Sequence, residues 1–235
     1  MTHERKTNYP VDRDVLEQDV MKLLDTLEKG GVGIVPLDVA YAVNATTEGG
    51  IKRIFTAKNR SYEKPSGMFA NTTMCREIHI MDDWKYDLVE SIVEEENIPF
   101  SVVAPFRQEH PFFARVDPFV LRSSTLAGTL DMLLNAGQFH NEIARQSWLR
   151  QMPVFGSSAN TSLKGSKYRF EDIEEEVKQA CDIGFDYGTS AYANDQGRSS
   201  TIIDFRDFSV IRVGVIFDRV MEAFKRHGGV ELKAS

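Results

Sequence analysis

The chain is short of most residue patterns that announce a chemistry. It has two cysteines in 235 residues, Cys75 and Cys181, too few for a disulfide framework, so a reducing, cytoplasmic compartment is expected. Neither cysteine has a basic neighbour in sequence, and both read as core thiols rather than nucleophiles. Long apolar runs are missing too. The most apolar stretch, Val32–Val43, is broken by Pro36 and Asp38 and falls far below the ~20 residues of a membrane span. The first residues are polar and charged, with no secretory apolar region. There is no Walker lysine loop, no G-x-G-x-x-G, no H-E-x-x-H and no paired C-x-x-C. Five histidines are scattered without ligand spacing, so no protein-borne metal site is expected. Positive charge is in the minority, 28 Lys and Arg against 35 Asp and Glu for a net −7. That excludes a generic nucleic-acid coat and leaves room for a local basic groove.

What is present is enough for a large core: 42% apolar residues, among them 15 Phe and 7 Tyr. No linker or repeat divides the chain, so one domain is expected over 12–228, with flexible polar ends at 1–11 and 229–235. Asp14 and Glu17 suit a capping box ahead of a helix whose Leu16, Val20, Leu23, Leu24 and Leu27 share a face. Gly30-Gly31 ends it, and Val32–Pro36 and Tyr41–Ala45 read as strands. Further helices are expected at 51–58, from Trp84, around Leu126–Asn135 and Asn141–Gln151, at Phe170–Val177, and at Phe217–Lys225. Further strands are expected at Gly67–Ala70, Phe100–Pro105, Phe119–Arg122, Val154–Ser157, Ile183–Phe185, Ser200–Phe205 and Ser209–Val213. Several gaps between strands are too short for crossover helices. The expected fold class is therefore α/β: a single-domain, twisted mixed sheet with flanking helices.

Polar residues gather in three places. Lys58-Asn59-Arg60, with Lys64 four residues on, falls at a helix end. Such cations complement a helix C-terminus and are solvated there, or they splay from a loop toward an anion. Gly156-Ser157-Ser158-Ala159-Asn160-Thr161-Ser162 follows an apolar strand, as a plain turn and cap or as an anion site built from hydroxyls and N–H groups. Arg198-Ser199-Ser200-Thr201 leads into the apolar Ile202-Ile203. Cationic or hydroxyl-rich clusters at element ends suggest one phosphate-binding cleft in an otherwise acidic chain.

The order of these pieces resembles the YrdC/YciO family. Gly30-Gly31 before Val32–Pro36 and Tyr41 is similar to its glycine pair, strand and P-T-x-x-x-Y-G opening. Lys58-x-Arg60 with Lys64-Pro65 resembles its K-x-R segment, and Ser158-Ala159-Asn160-x-Ser162 its S-A-N-x-S-G signature. Ser200-Thr201-Ile202-Ile203-Asp204 and Ile211-Arg212-Val213-Gly214 resemble its closing strands. The resemblance covers roughly 13–226 and implies a concave, positively charged cleft. It also implies an activity: joining L-threonine, bicarbonate and ATP, with Mg2+, into threonylcarbamoyl-AMP and pyrophosphate. That product feeds modification of adenosine 37 in tRNA through a downstream partner. On this resemblance Lys58, Arg60, Ser158 and Asn160 are the catalytic set. Lys64, Ser162, Arg198 and Arg212 face the nucleotide, and Asp38, Tyr41 and Arg122 face the amino acid, Arg122 on its carboxylate.

The departures fall mostly on the amino-acid side. Pro36-Leu37-Asp38-Val39 lacks both hydroxyls of the family's Pro-Thr-x-Thr, Ala42 replaces a glycine, and the glycine expected after Ser162 is displaced to Gly165. Two other readings stand beside synthesis. One is a nucleotide or double-stranded RNA binder of the same fold, with weak RNA contact at this net charge. The other is a synthase acting on a different carbamoyl or carboxylate substrate.

Overall fold

The computed structural model describes residues 2–5, 12–61 and 64–234. In chain order its elements are β1 Thr2–Arg5, α1 Arg13–Glu28, β2 Gly33–Val35, β3 Ala42–Ala45, α2 Glu48–Ala57, β4 Gly67–Ala70, α3 Thr72–Ile78 and α4 Asp83–Glu90. There follow β5 Phe100–Pro105, α5 Pro118–Arg122, β6 Thr125–Leu126, β7 Thr129–Leu134, α6 Gln138–Leu149, β8 Phe155–Ser158 and α7 Glu175–Gln179. The last are β9 Ile183–Asp186, β10 Thr201–Asp204, β11 Ser209–Arg212, α8 Phe217–Gly228 and β12 Lys233–Ala234. The strands form one mixed sheet in the order β1-β9-β2-β3-β8-β4-β7-β5-β10-β11-β12, with β6 added beside β7. The α/β class and mixed sheet expected from the short strand gaps are what the chain adopts.

Strand periodicity decides where the core lies. On β5, β7 and β10 the residues Phe100, Val102, Leu130, Met132, Leu134 and Ile203 point into the larger apolar cluster, with Ile54, Phe55, Leu88 and Phe224 from α2, α4 and α8. The opposite face is covered only in part. Leu23 and Leu27 of α1 and Phe139 and Ile143 of α6 pack on Val35, Ala42, Phe69 and Phe185, which lie on β2, β3, β4 and β9. Beyond β4 the same face continues as Thr129, Asp131, Ser101, Val103, Ile202 and Asp204, and this half borders open hollows. Alternation in a strand lets one side stay apolar while the other carries charge.

Several sequence expectations are corrected. The cap of α1 is Asp12, whose Oδ1 accepts from the Asp14 amide at 2.9 Å; Asp14 lies in the first turn and Glu17 pairs with Arg13. Phe119–Arg122 is helical because Asp117 caps the Phe119 amide at 2.7 Å and Pro118 occupies the first turn, where its missing N–H costs nothing. Residues 129–134 are a strand, not a helix. Ala127 and Gly128 have φ of 49° and 76°, a left-handed pair that closes a tight hairpin between β6 and β7. Near Phe170 only Glu175–Gln179 is helical, and α3, capped by Asn71, has no counterpart in the sequence reading. At the ends, Thr2–Arg5 pairs with β9 and Ser209–Val210 with Lys233–Ala234, and Val230 and Leu232 pack on the core. The rest of the expected loose ends, residues 1, 6–11 and 235, lies outside the described residues.

One glycine fixes the edge of the open half. A Cβ on Gly214 would lie 2.1 Å from the Thr201 amide nitrogen and 2.4 Å from the Ser199 carbonyl oxygen. The Gly214 amide donates to Thr201 Oγ1 at 3.1 Å and the Val215 amide to Ser199 O at 2.8 Å. Only backbone against backbone fits there. Gly214→Ala is expected to cost at least about 2 kcal/mol, read as a lower urea midpoint; an unchanged midpoint would contradict this close approach.

Candidate functional site

The site is a cleft on the open half of the sheet, made of two joined hollows. The inner one spans about 650 Å³, part of it open solvent, and is lined by Tyr41, Arg60, Asp131, Ser158, Ser200 and Arg212 among others. The outer one, about 1310 Å³ and open to solvent, adds Lys64, Leu126, Asp204 and Ile211. Arg60, Pro65, Asp131, Ile202 and Arg212 belong to both walls, so these residues form the waist.

The turn after α2 puts Lys58 and Arg60 on opposite sides. Asn59 is left-handed at φ 47°; its amide donates to Thr56 O at 3.1 Å and the Arg60 amide to Phe55 O at 2.9 Å. This is the doubled hydrogen bond of a Schellman helix end, with asparagine in the usual glycine place. Lys58 is turned inward and is 2% exposed. Its ammonium donates to the carbonyls of Ser158 and, at 2.6 Å, Asn160, while its own carbonyl accepts from the Ser162 amide at 2.9 Å. Burial, then the nearby Arg60 charge, push the Lys58 pKa down to about 7, with Glu174 opposing. Lys58 thus holds the Ser158–Ser162 turn and does not line the cleft.

Arg60 turns outward into the waist, donating to Lys64 O at 3.2 Å and Pro65 O at 2.8 Å and lying over the Phe55 ring. Arg212 reaches the same waist from β11, donating to Ser200 O at 2.8 and 3.0 Å and to Ser200 Oγ at 2.9 Å. It is solvent-exposed within a walled cleft. Burial depresses the pKa of both guanidinium groups; Arg212 depresses Arg60 further, and Asp131 opposes the shift at Arg212. Among the described residues neither closes a salt bridge, so the waist holds two cations that an anion would relieve.

The other sequence-derived candidates divide. Ser158 and Tyr41 line the cleft. The Tyr41 hydroxyl is already engaged, donating to Gly188 O at 2.8 Å and accepting from the Tyr187 amide at 3.1 Å. Asn160 is buried behind the turn, its Nδ2 donating to Thr161 O at 2.6 Å while Oδ1 has no partner among the described residues. Lys64 lines the outer hollow, and Ser162 serves the turn through its amide. Three residues lie elsewhere. Arg198 borders a separate hollow with Asn194 and Phe217. Arg122 is exposed on the short helix α5 and is not among the cleft residues. The Asp38 carboxylate lies against Gly137, where a Cβ would come within 2.5 Å of it, and burial raises its pKa to about 6.

Asp131 was missed by sequence reasoning. It projects from β7 into both hollows, and Oδ1 has no partner among the described residues. Burial raises its carboxyl to about 6, against the pull of Arg212 and of the neighbouring Ser101 hydroxyl. The available signal was the alternation Leu130, Met132, Leu134 against Thr129, Asp131, Leu133, a period of two rather than of a helix. Among the described residues no group of three His, Cys, Asp or Glu side chains gathers as a metal site, and no helix is long and apolar enough to cross a membrane.

No family model and no curated protein matches the sequence. Solved structures do, and they define the class first: this is a YrdC/Sua5-like fold. The chain is similar to a hypothetical protein from Streptococcus mutans UA159 (17% identity, TM-score 0.78, covering 99% of this chain and 98% of that one). It is similar to P. abyssi Sua5 complexed with L-threonine (17% identity, TM-score 0.74), covering all of this chain and 63% of that one. E. coli YciO aligns over 91% of this chain and 95% of its own at 14% identity, TM-score 0.62.

The raised Asp131 carboxyl has a measurable sign. The folded state holds this proton to about pH 6, the unfolded chain only to about 4. Its stabilising contribution is therefore complete below pH 4 and lost as pH rises through 6. Relative to Asp131→Asn, the native protein should lose about 2 kcal/mol between pH 4 and 7, followed by urea unfolding across that range. A pH-independent difference would mean that Asp131 titrates as a solvated carboxylate.

Proposed function

We propose that the cleft binds ATP with its Mg2+ and joins it to an amino-acid-derived carboxylate, as an adenylate-forming nucleotidyltransferase. The most direct form is L-threonylcarbamoyl-AMP synthesis from L-threonine, bicarbonate and ATP, serving tRNA adenosine-37 modification in the cytoplasm. The observation that carries this reading is the pair Arg60 and Arg212, two cations at the waist of one cleft that close no salt bridge among the described residues. Support comes from likeness to a Sua5 solved with L-threonine and to a HypF solved in a phosphate- and nucleotide-bound form, at TM-score 0.57 and 14% identity.

In this reaction a carboxylate oxygen of N-carboxy-threonine attacks the α-phosphorus. The new P–O bond replaces the bond to pyrophosphate, which leaves with the electron pair. No protein group becomes covalently attached. The work is positioning and charge neutralisation, which Arg60 and Arg212 supply from two walls. Ser158, fixed by the Lys58 clamp, offers a hydroxyl to a phosphate or carboxylate oxygen. Mg2+ enters with the triphosphate as part of the substrate.

A second reading, nucleotide binding without synthesis, is favoured by Lys58, whose ammonium is committed to two carbonyls, and by the position of Arg122 outside the cleft. RNA contact, in either reading, is confined to the cleft rim and is weak.

Two measurements separate these readings. Arg60→Ala and Arg212→Ala should each weaken binding of a non-hydrolysable ATP analogue at least tenfold, as expected for losing a charge-assisted phosphate contact worth ~1.5–3 kcal/mol. Calorimetry giving unchanged affinity in both would remove the phosphate assignment. Pyrophosphate release is then followed with ATP, bicarbonate and each amino acid in turn. Release dependent on L-threonine supports the full reading, dependence on another amino acid changes the substrate, and nucleotide binding without release leaves the second reading.

A further inference from the structure

The floor of the inner hollow carries a carboxylate that nucleotide binding does not require. Asp131 stands on the same strand face as Leu133, about 7 Å along β7, and both line the inner hollow with Leu37, Val39 and Phe69. The same hollow holds Arg212 and Arg60. Arg212 donates to Ser200 Oγ at 2.9 Å, and Ser200 Oγ lies 3.5 Å from Ser101 Oγ. Asp131 Oδ1 is buried, with no partner among the described residues. A buried acceptor left unpaired is costly, and beside two guanidinium groups it serves no anion. It suits a cationic or N–H donor on a ligand whose other end is anionic.

We propose that Asp131 is a specificity-determining residue that takes the ammonium of an α-amino acid, with the amino acid's carboxylate toward Arg212 and an aliphatic side chain over Leu133, Leu37 and Val39. This rests on the reading of the cleft as an adenylate-forming site and narrows it. The charges then alternate, guanidinium, carboxylate, ammonium, carboxylate, so each is neutralised by its neighbours, and the apolar wall selects a short aliphatic side chain. A phosphate or a simple carboxylic acid satisfies the arginines and leaves Asp131 unpaired, which is discrimination by a stranded buried group.

The experiment compares amino acids with the same molecules lacking the amine. Calorimetry is run with saturating AMP and no bicarbonate, so nothing turns over. The probe pairs are L-threonine with 3-hydroxybutanoate, and L-valine with 3-methylbutanoate. In the native protein at least one amino acid should bind tenfold or more tightly than its deaminated partner. In Asp131→Asn that ratio should collapse toward one, with AMP affinity unchanged within about twofold. Asparagine keeps the shape and removes the charge; if that variant does not fold, Asp131→Ser answers the same question. A ratio retained in the variant, while pyrophosphate release continues, overturns the role of Asp131 alone. Failure of the native protein both to bind an amino acid beside AMP and to release pyrophosphate with any of them overturns the synthase reading, and this inference with it.

Discussion

The ammonium of Lys58, buried against the carbonyls of Ser158 and Asn160, is the interaction on which the arrangement of the cleft depends. An ammonium taken out of water costs several kcal/mol unless its protons find acceptors, and here the acceptors are backbone oxygens at the end of β8 and in the turn that follows it. The return bond from the Ser162 amide to Lys58 O makes the link two-way. The end of α2 and the end of β8 are therefore held as one unit, although about a hundred residues separate them in sequence. The same left-handed Asn59 that turns Lys58 inward directs Arg60 into the waist. The K-x-R spacing reads physically as one structural cation and one cleft-facing cation, divided by a helix stop.

The cleft exists because the second face of the sheet is only half covered. Helices α1 and α6 pack over the β9-to-β4 side, and on the remaining side the alternate residues of β5, β7 and β10 are left facing open hollows. An apolar residue there would be an exposed patch; what stands there instead is a mixture of Ser101, Asp131 and Asp204 with Val103 and Ile202. Gly214 allows the chain after β11 to lie directly on the Ser199–Thr201 backbone. That contact keeps β11 close enough for Arg212 to reach Ser200 and share the waist with Arg60.

How much of this was legible follows from the kind of signal each part leaves. Elements with a strong period and clear stops, such as the leucine face of α1 or the apolar run 100–105, were read nearly to the residue. Arg60 and Ser158 were found because cationic and hydroxyl residues gather at element ends, and Arg212 through likeness of motif. Hairpin β6–β7 was misread because Leu126, Leu130, Leu133 and Leu134 also fit a helical spacing, and that error hid Asp131. Asp38 and Arg122 were carried by likeness of motif, and Arg198 by its polar cluster ahead of an apolar strand as well. Their side-chain directions depend on Gly137, on the Asp117-Pro118 helix start and on a separate hollow, none of which a linear pattern encodes.

What the cleft does not contain narrows its chemistry further. His79 and His140 are fully buried, their pKa values pushed down to about 4 by burial, and Cys75 and Cys181 are buried thiols pushed up to about 12, chiefly by the same cause. None of the four lines either hollow. The serines of the cleft thus stand among the described residues without the histidine that would activate one as a nucleophile. Among the described residues no serine or cysteine of the cleft has the partner that would activate it for a covalent intermediate. A reaction in which the substrate's own carboxylate attacks phosphorus needs fixed cations beside the phosphate, and Arg60 and Arg212 both line the waist. That match is the ground on which the proposed adenylate-forming reading stands.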